Sequence, residues 1–101
     1  MIYTKAENSK KLDVPFDARE LFKSTNIEQI LITLKPGDEI AKHNPPFAAN
    51  FYVIAGEGYF FGQDSELKLY PGIFIALSEN VQRAFKNTGS IDLKILVTKI
   101  L

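Results

Sequence analysis

Apolar and polar residues alternate along most of this chain, which is the pattern of β-strands with one buried face. In "IEQILITL" (residues 27–34), Ile30, Ile32 and Leu34 share one face, and the residues between them share the other. Further short runs follow at a spacing of roughly 8–12 residues. They are "NFYVIA", "YFFG", "ELKLY", "IFIAL", "VQRAFK" and "DLKILVTKI". Many short strands at an even spacing predict an all-β antiparallel sandwich or barrel.

Turn-forming segments separate these runs, and one helix signal precedes them. The turns are "KPGD", "GEG", "GQDS", "PG", "SEN" and "NTGS", where glycine's freedom at positive φ or a side-chain cap favours a turn. Asp17 precedes "ARELFK", and Glu20 follows Asp17 by three residues. Asp17 can therefore cap free backbone N–H groups while Glu20 reaches back. This spacing predicts one or two helical turns over residues 18–23.

The composition narrows the number of domains and the classes of partner. The chain has 101 residues, which suits a single domain over residues 1–101 and leaves no room for a second hydrophobic core. The 12 Lys and Arg residues balance the 12 Asp and Glu residues, so there is no net positive field to attract nucleic acid or anionic lipid. We therefore expect neither a nucleic-acid nor a membrane partner.

The absence of cysteine and of long apolar segments bears on location. Without cysteine there are no disulfides, no thiolate chemistry and no cysteine-ligated metal site. The segment "MIYTKAENSKKLDVPFD" contains no apolar stretch that could serve as a signal peptide, and no run approaches the length of a membrane span. These features predict a cytoplasmic protein.

The strand "VQRAFK" places an arginine on an apolar face. Val81, Arg83 and Phe85 fall on one side of this strand, and the more polar residues fall on the other. An unpaired arginine costs several kcal/mol to remove from water, so Arg83 must meet an anion, carbonyl oxygens or water. Two interpretations remain open: Arg83 binds a ligand, or it reaches the barrel rim and pairs with Glu79 or Glu57.

At this point the chain resembles the cupins, a family of small jelly-roll barrels. The first cupin motif reads Gly, five residues, His, one, His, three or four, Glu, six, Gly. Here Gly37 is followed by His43, the only histidine, and Gly56 closes the motif in register. Pro45 stands where the second His belongs, and Ala49 stands where the Glu belongs.

The second cupin motif is also intact in its spacing. It reads Gly, five residues, Pro, one, Gly, two, His, three, Asn. Gly72 begins it and Asn87 ends it, while Ser78 and Asn80 take the places of the Pro and the Gly. Arg83 stands in the place of the His. The resemblance covers about residues 27–98 and implies an all-β antiparallel jelly-roll barrel, with the short helical segment preceding it.

Three of the family's four metal-ligand positions carry residues that cannot bind a metal. A lone imidazole from His43 leaves water competing for the positions of the missing donors. A fixed cation at Arg83 would also repel a divalent ion. We therefore expect no metal and no other cofactor.

The resemblance also implies where a ligand would bind. If the barrel closes as it does in the family, five residues converge on one concave, mostly apolar pocket with a fixed cation. They are His43, Ala49, Phe51, Arg83 and Phe85. An arginine prefers carboxylate or phosphate, so the expected ligand is a small anionic or polar molecule, such as a sugar derivative or a carboxylic acid.

Three functions from different classes remain open, and the first is favoured. It is a metal-free module that binds or senses a small molecule, with His43 as a structural residue at the barrel mouth. The second is a metal-independent isomerase, epimerase or cyclase with His43 as base and Tyr52, Tyr59 or Tyr70 as proton donor. The third is a metal-dependent enzyme with atypical ligands.

The strand "NFYVIA" is apolar on both faces, which has a consequence for assembly. Tyr52 and Ile54 should point away from the pocket, so something must cover them. We expect a homodimer, in which the N-terminal "MIYT" strand or the partner's sheet provides that cover.

Overall fold

The computed structural model describes all 101 residues, Met1–Leu101. It contains one 3-10 helical turn, Ala6–Asn8, and ten strands. The strands are β1 Lys10–Lys11, β2 Asp17–Lys23, β3 Ile27–Leu34, β4 Glu39–His43, β5 Ala48–Ala55, β6 Gly58–Phe61, β7 Glu66–Leu69, β8 Phe74–Leu77, β9 Arg83–Lys86 and β10 Leu93–Ile100. With three residues in its one helical turn, the chain contains no helix that could cross a membrane.

The strands form two antiparallel sheets, which confirms the predicted all-β jelly-roll architecture. The larger sheet has six strands in the order β1-β2-β3-β10-β5-β8, and the smaller has four in the order β4-β9-β6-β7. Each sheet turns its alternate, apolar residues toward the other, because successive side chains of a strand point to opposite faces. In β3, for example, every second residue from Glu28 to Leu34 is buried.

The prediction of a helix over residues 18–23 is wrong, because this segment lies in strand β2. It pairs with β3 from Asp17↔Thr33 to Lys23↔Glu28. A helix of six residues is marginal on its own, whereas pairing with β3 supplies inter-strand hydrogen bonds and buries Ala18, which is 2% exposed. Asp17 does not cap a helix and instead accepts a hydrogen bond from Nε of Arg19 at 3.0 Å.

On the inner face of the six-stranded sheet, the strand register arranges the side chains in rows that cross the strands. One row is fully apolar and runs across β3, β10, β5 and β8: Ile30, Val97, Phe51 and Ile75. The adjacent row, toward one end of the barrel, runs Glu28, Lys99, Ala49 and Leu77. The register therefore places an ion pair directly beside the small Ala49 side chain.

Several residues of the two cupin motifs fix the backbone of the turns. Gly56 has φ +86°, and a Cβ there would clash with the carbonyl oxygen of Asp92, so only glycine fits. Asn80 adopts φ 64° at the position where the motif has glycine, a conformation that asparagine tolerates. Asn87 is 1% exposed and donates to the carbonyl of Leu34 at 2.8 Å.

Candidate ligand-binding cavity

A cavity of about 210 Å³ lies between the two sheets. Of its 15 lining residues, 12 are hydrophobic. The lining is Leu12, Val14, Phe16, Ala18, Ile30, Ile32, Ile40, His43, Phe47, Ala49, Phe51, Arg83, Phe85, Val97 and Lys99.

The structure brings all five sequence-predicted site residues together around this cavity: His43, Ala49, Phe51, Arg83 and Phe85. They come from three strands, β4, β5 and β9. Cross-strand pairing sets His43 opposite Arg83, and the rings of Phe51 and Phe85 pack at a centroid distance of 4.9 Å. Ala49 is fully buried.

Arg83 is almost completely buried, with 2% of its surface exposed. Its Nε donates to the carbonyl of Val81 at 3.0 Å, and its Nη2 donates to the carbonyl of Ser78 at 2.8 Å. Nη1 is buried and has no hydrogen-bond partner. Burial lowers the pKa of Arg83 from its ordinary value, but a guanidinium remains charged at neutral pH. The cavity therefore borders an oriented cation, one of whose buried donors has no partner in the protein.

The structural alternative for Arg83, an ion pair at the rim, is not formed. The ion pairs of the chain are Lys5–Glu7, Arg19–Asp17 and Lys99–Glu28, so neither Glu79 nor Glu57 neutralises Arg83. Val81, which precedes Arg83 on the same predicted face, is 39% exposed and does not belong to the core.

The cavity contains a second cation that the sequence analysis missed. Nζ of Lys99 lies 3.6 Å from Oε1 of Glu28 and 4.1 Å above the centre of the Phe47 ring. Cζ of Arg83 lies 5.8 Å from the same ring centre. Lys99 follows Ile95 and Val97 at the alternation of a strand, so its inward position could have been found from the period-2 pattern.

The N-terminal contribution to the cavity was also missed. Leu12, Val14 and Phe16 pack against the core and line the cavity, although only two of the residues between 10 and 16 are in a strand. Their alternation with Lys11, Asp13 and Pro15 was visible in "KLDVPF". No sequence signal distinguished this segment as part of the cavity wall.

His43 is exposed and lies at the mouth of the cavity. Its Nδ1 is 2.9 Å from the carbonyl oxygen of Ala41; since a carbonyl only accepts, Nδ1 carries the hydrogen. The hypothesised proton donors are not available to it, because Tyr52, Tyr59 and Tyr70 do not line the cavity. Tyr52 and Tyr70 are exposed on the outer surface.

Two loops are joined at this mouth and hold Phe47 in place. The backbone N–H of Asn80 donates to the carbonyl of Pro45 at 2.8 Å, and Nδ2 of Asn44 donates to the carbonyl of Asn80 at 3.3 Å. The loop that carries Phe47 is thus fixed to the loop that precedes Arg83. The Pro-Pro step stiffens the first loop further.

The sequence matches the Cupin domain family over residues 30–99. The chain belongs to the cupin family. A comparison with curated proteins finds no match.

Solved cupin-fold structures superpose closely at low sequence identity. A predicted oxalate decarboxylase from Thermotoga maritima has a TM-score of 0.87 and 17% identity, with 100% of this chain and 99% of that chain covered. The polyketide cyclase RemF from Streptomyces resistomycificus has a TM-score of 0.86 and 15% identity, covering 99% of this chain and 79% of that chain. A cupin superfamily protein from Desulfitobacterium hafniense has a TM-score of 0.79 and 14% identity, covering 95% of this chain and 86% of that chain. These similarities show a shared fold.

The residues at the family's ligand positions do not fit a divalent metal ion. No three His, Cys, Asp or Glu side chains of this chain cluster as a metal site would need. No carboxylate lines the cavity, Glu28 beside it is paired with Lys99, and Arg83 places a positive charge opposite His43. A metal ion would meet one imidazole and two cations, which repel it.

Proposed function

We propose that this cupin binds a small organic anion in its barrel cavity without a metal ion. The observation that supports this most strongly is Nη1 of Arg83, a buried cationic donor with no partner in the protein. Native structures rarely leave a buried polar atom unsatisfied. An anionic oxygen that reaches Nη1 through a shift of the surrounding side chains would satisfy this donor and neutralise the charge that Arg83 brings into the interior.

The surroundings of Arg83 favour binding because the guanidinium is already oriented. Carbonyl oxygens of Val81 and Ser78 hold two of its nitrogens, so little side-chain entropy is lost when a ligand binds. A hydrogen bond to a charged group contributes about 1.5–3 kcal/mol. Neither an isomerase nor a metalloenzyme is favoured by a comparable observation.

The proposal is tested by calorimetric titration of purified protein with acetate, benzoate, inorganic phosphate and glucose 6-phosphate. At least one anion should bind to wild type with an affinity that falls at least tenfold in Arg83→Met. Arg83→Lys should bind more weakly than wild type, because lysine keeps the charge and loses the planar fork. Arg19→Met is the matched control, since it removes the other guanidinium, which pairs with Asp17 outside the cavity. If no anion binds, or if Arg83→Met binds as wild type does, the proposal is wrong.

We also propose a homodimer that covers the outer face of the six-stranded sheet. Leu31, Leu96, Tyr52 and Phe74 lie side by side across β3, β10, β5 and β8 on this face. Tyr52 is 45% exposed and Phe74 is 58% exposed. A continuous apolar row of this kind is a common feature of interaction surfaces.

The same chain's N-terminal segment does not provide this cover. Ile2 and Tyr3 are 81% and 85% exposed and lie outside the strands. A second copy, contributing its sheet or its own N-terminal segment, is therefore the proposed occupant.

A further inference from the structure

We infer that the ligand is a monocarboxylate with an apolar body of about the size of a benzene ring. This inference rests on the proposed function, because it assumes that the cavity binds an anion. It goes further by assigning the charge, the size and the polarity of the ligand. The same observations argue against sugar derivatives, phosphates and dicarboxylates.

The walls of the cavity determine the polarity of the ligand. Only three of its lining side chains are polar: His43, Arg83 and Lys99. A sugar would bring several hydroxyl groups into the apolar remainder, where no donor or acceptor replaces the water that they lose. Each unpaired hydroxyl lowers affinity by roughly fivefold to a hundredfold. An apolar body avoids this penalty and gains from burial.

The volume of the cavity limits the size of the body. It measures about 210 Å³, while an apolar protein cavity of about 150 Å³ is large enough for benzene. The remaining volume suits one carboxylate. Phe51 and Phe85 supply tilted aromatic surfaces, with rings 4.9 Å apart at 43°, and such surfaces pack well against another ring.

The charges at the mouth determine the charge of the ligand. Arg83 and Lys99 contribute two positive charges, and Glu28, 3.6 Å from Lys99, contributes one negative charge. With His43 counted as neutral, one positive charge remains, which a single carboxylate balances. A second negative charge on the ligand would face Glu28 or be buried without a partner.

The strand register predicts how the ligand is oriented. The charged row Glu28, Lys99 and Ala49 lies next to the apolar row that contains Val97 and Phe51. Arg83 and Lys99 both lie close to the Phe47 ring, so a carboxylate at this end of the cavity would be near both cations. The body then lies against Val97 and Phe51, deeper in the barrel.

A matched set of ligands tests this inference by calorimetric titration at constant ionic strength and pH 7.5. Benzoate carries both features, benzyl alcohol lacks the charge, gluconate has a polar body, and terephthalate carries a second carboxylate. Benzoate should bind at least tenfold more tightly than each of the other three. In the series acetate, butanoate and hexanoate, each added methylene should raise affinity about threefold to fourfold until the cavity is full.

The contribution of Lys99 is tested with a double variant and a single variant. Both replace Glu28, so that its buried carboxylate is not left without a cation. The double variant Glu28→Gln/Lys99→Met should bind benzoate at least fivefold more weakly than wild type. The single variant Glu28→Gln should keep or increase the affinity for benzoate, because it removes a nearby negative charge. It should also narrow the difference between benzoate and terephthalate.

The outcomes separate this inference from the proposed function. If phosphate, glucose 6-phosphate or gluconate binds more tightly than benzoate and requires Arg83, the cavity is an anion site and the inference is wrong. If benzyl alcohol binds as tightly as benzoate and Arg83→Met changes neither, the cavity is an apolar site and the proposed function itself fails. Benzoate affinity unchanged in the double variant would remove Lys99 from the site.

Discussion

His43 and Arg83 face each other across the β4–β9 strand pair, in direct register. In the cupin motifs both positions carry histidines, so the fold places here one imidazole and one guanidinium where two metal ligands would stand. A guanidinium repels cations and prefers carboxylates, so the proposed ligand is an anion and not a metal ion. The barrel fold is retained, while the charge at this pair of positions differs from that of a metal site.

The arginine at a metal-ligand position predicts how the protein responds to chelators. EDTA should leave the melting temperature unchanged within about 1 °C. A metal bound only to the native state would raise stability, and its removal would lower the melting temperature; without a bound metal, EDTA has nothing to remove. Purified protein should contain less than stoichiometric zinc, iron, manganese or nickel by elemental analysis. A melting temperature that falls by several degrees in EDTA and is restored by one particular metal would contradict the assignment of Pro45, Ala49 and Arg83.

Replacing Arg83 should change stability little in the absence of ligand. Arg83→Met leaves the carbonyls of Ser78 and Val81 with one hydrogen bond fewer each, at about 1.5–3 kcal/mol apiece. It also removes a buried unpaired cation, whose desolvation costs several kcal/mol and offsets that loss. We expect the free energy of unfolding to change by less than about 1 kcal/mol in urea denaturation. Phe85→Ala is the comparison, with an expected loss of about 3–5 kcal/mol. A loss of that size in Arg83→Met would make Arg83 a structural residue.

The Glu28–Lys99 pair should respond asymmetrically to substitution. Lys99→Met leaves Glu28, 6% exposed, without its cation, and should destabilise the protein by about 1–3 kcal/mol, below the ~3–5 kcal/mol of a fully buried pair. Glu28→Gln should have a smaller effect, because the partly exposed Lys99 can reach water. Restored stability in the double variant, measured as a double-mutant cycle, would confirm the coupling, and additive losses would contradict it.

The proposed dimer depends on the outer face of β5 and β8. Phe74→Lys should yield a monomer by light scattering at micromolar concentration, because it places a charge in the apolar row beside Tyr52. The control is Ile91→Lys, in the loop between β9 and β10, which alters a residue that is also exposed, at 62%. A wild-type protein that is monomeric under these conditions would contradict the proposal.

The jelly-roll architecture could be predicted because alternation and motif spacing are both local and redundant. Gly56 fixes a turn and Asn87 bonds within the core. The spacing of the two motifs can therefore be recognised although the metal-ligand residues are absent. The inward direction of Arg83 also followed from alternation alone, since its strand has one clearly polar face.

The parts that could not be predicted depend on pairing between distant segments. Residues 18–23 carry a helix-cap signature, and their strand conformation arises only because β3 is available as a partner. The inward direction of Lys99 follows from alternation, but its place beside the cavity depends on the pairing of β10 with both β3 and β5. The free state of Nη1 of Arg83 depends on which carbonyls the neighbouring loop presents, which strand periodicity does not determine.

The most direct test of the anion site is an NMR titration of the arginine side chains with benzoate. The chain has only two arginines, Arg19 and Arg83, so selective ¹⁵N-arginine labelling gives two Nε–Hε signals that single substitutions assign. We predict that the signal of Arg83 shifts to saturation as benzoate is added, while that of Arg19, paired with Asp17 outside the cavity, remains in place. An Arg83 signal that does not move, or that moves only in parallel with Arg19, would contradict the account.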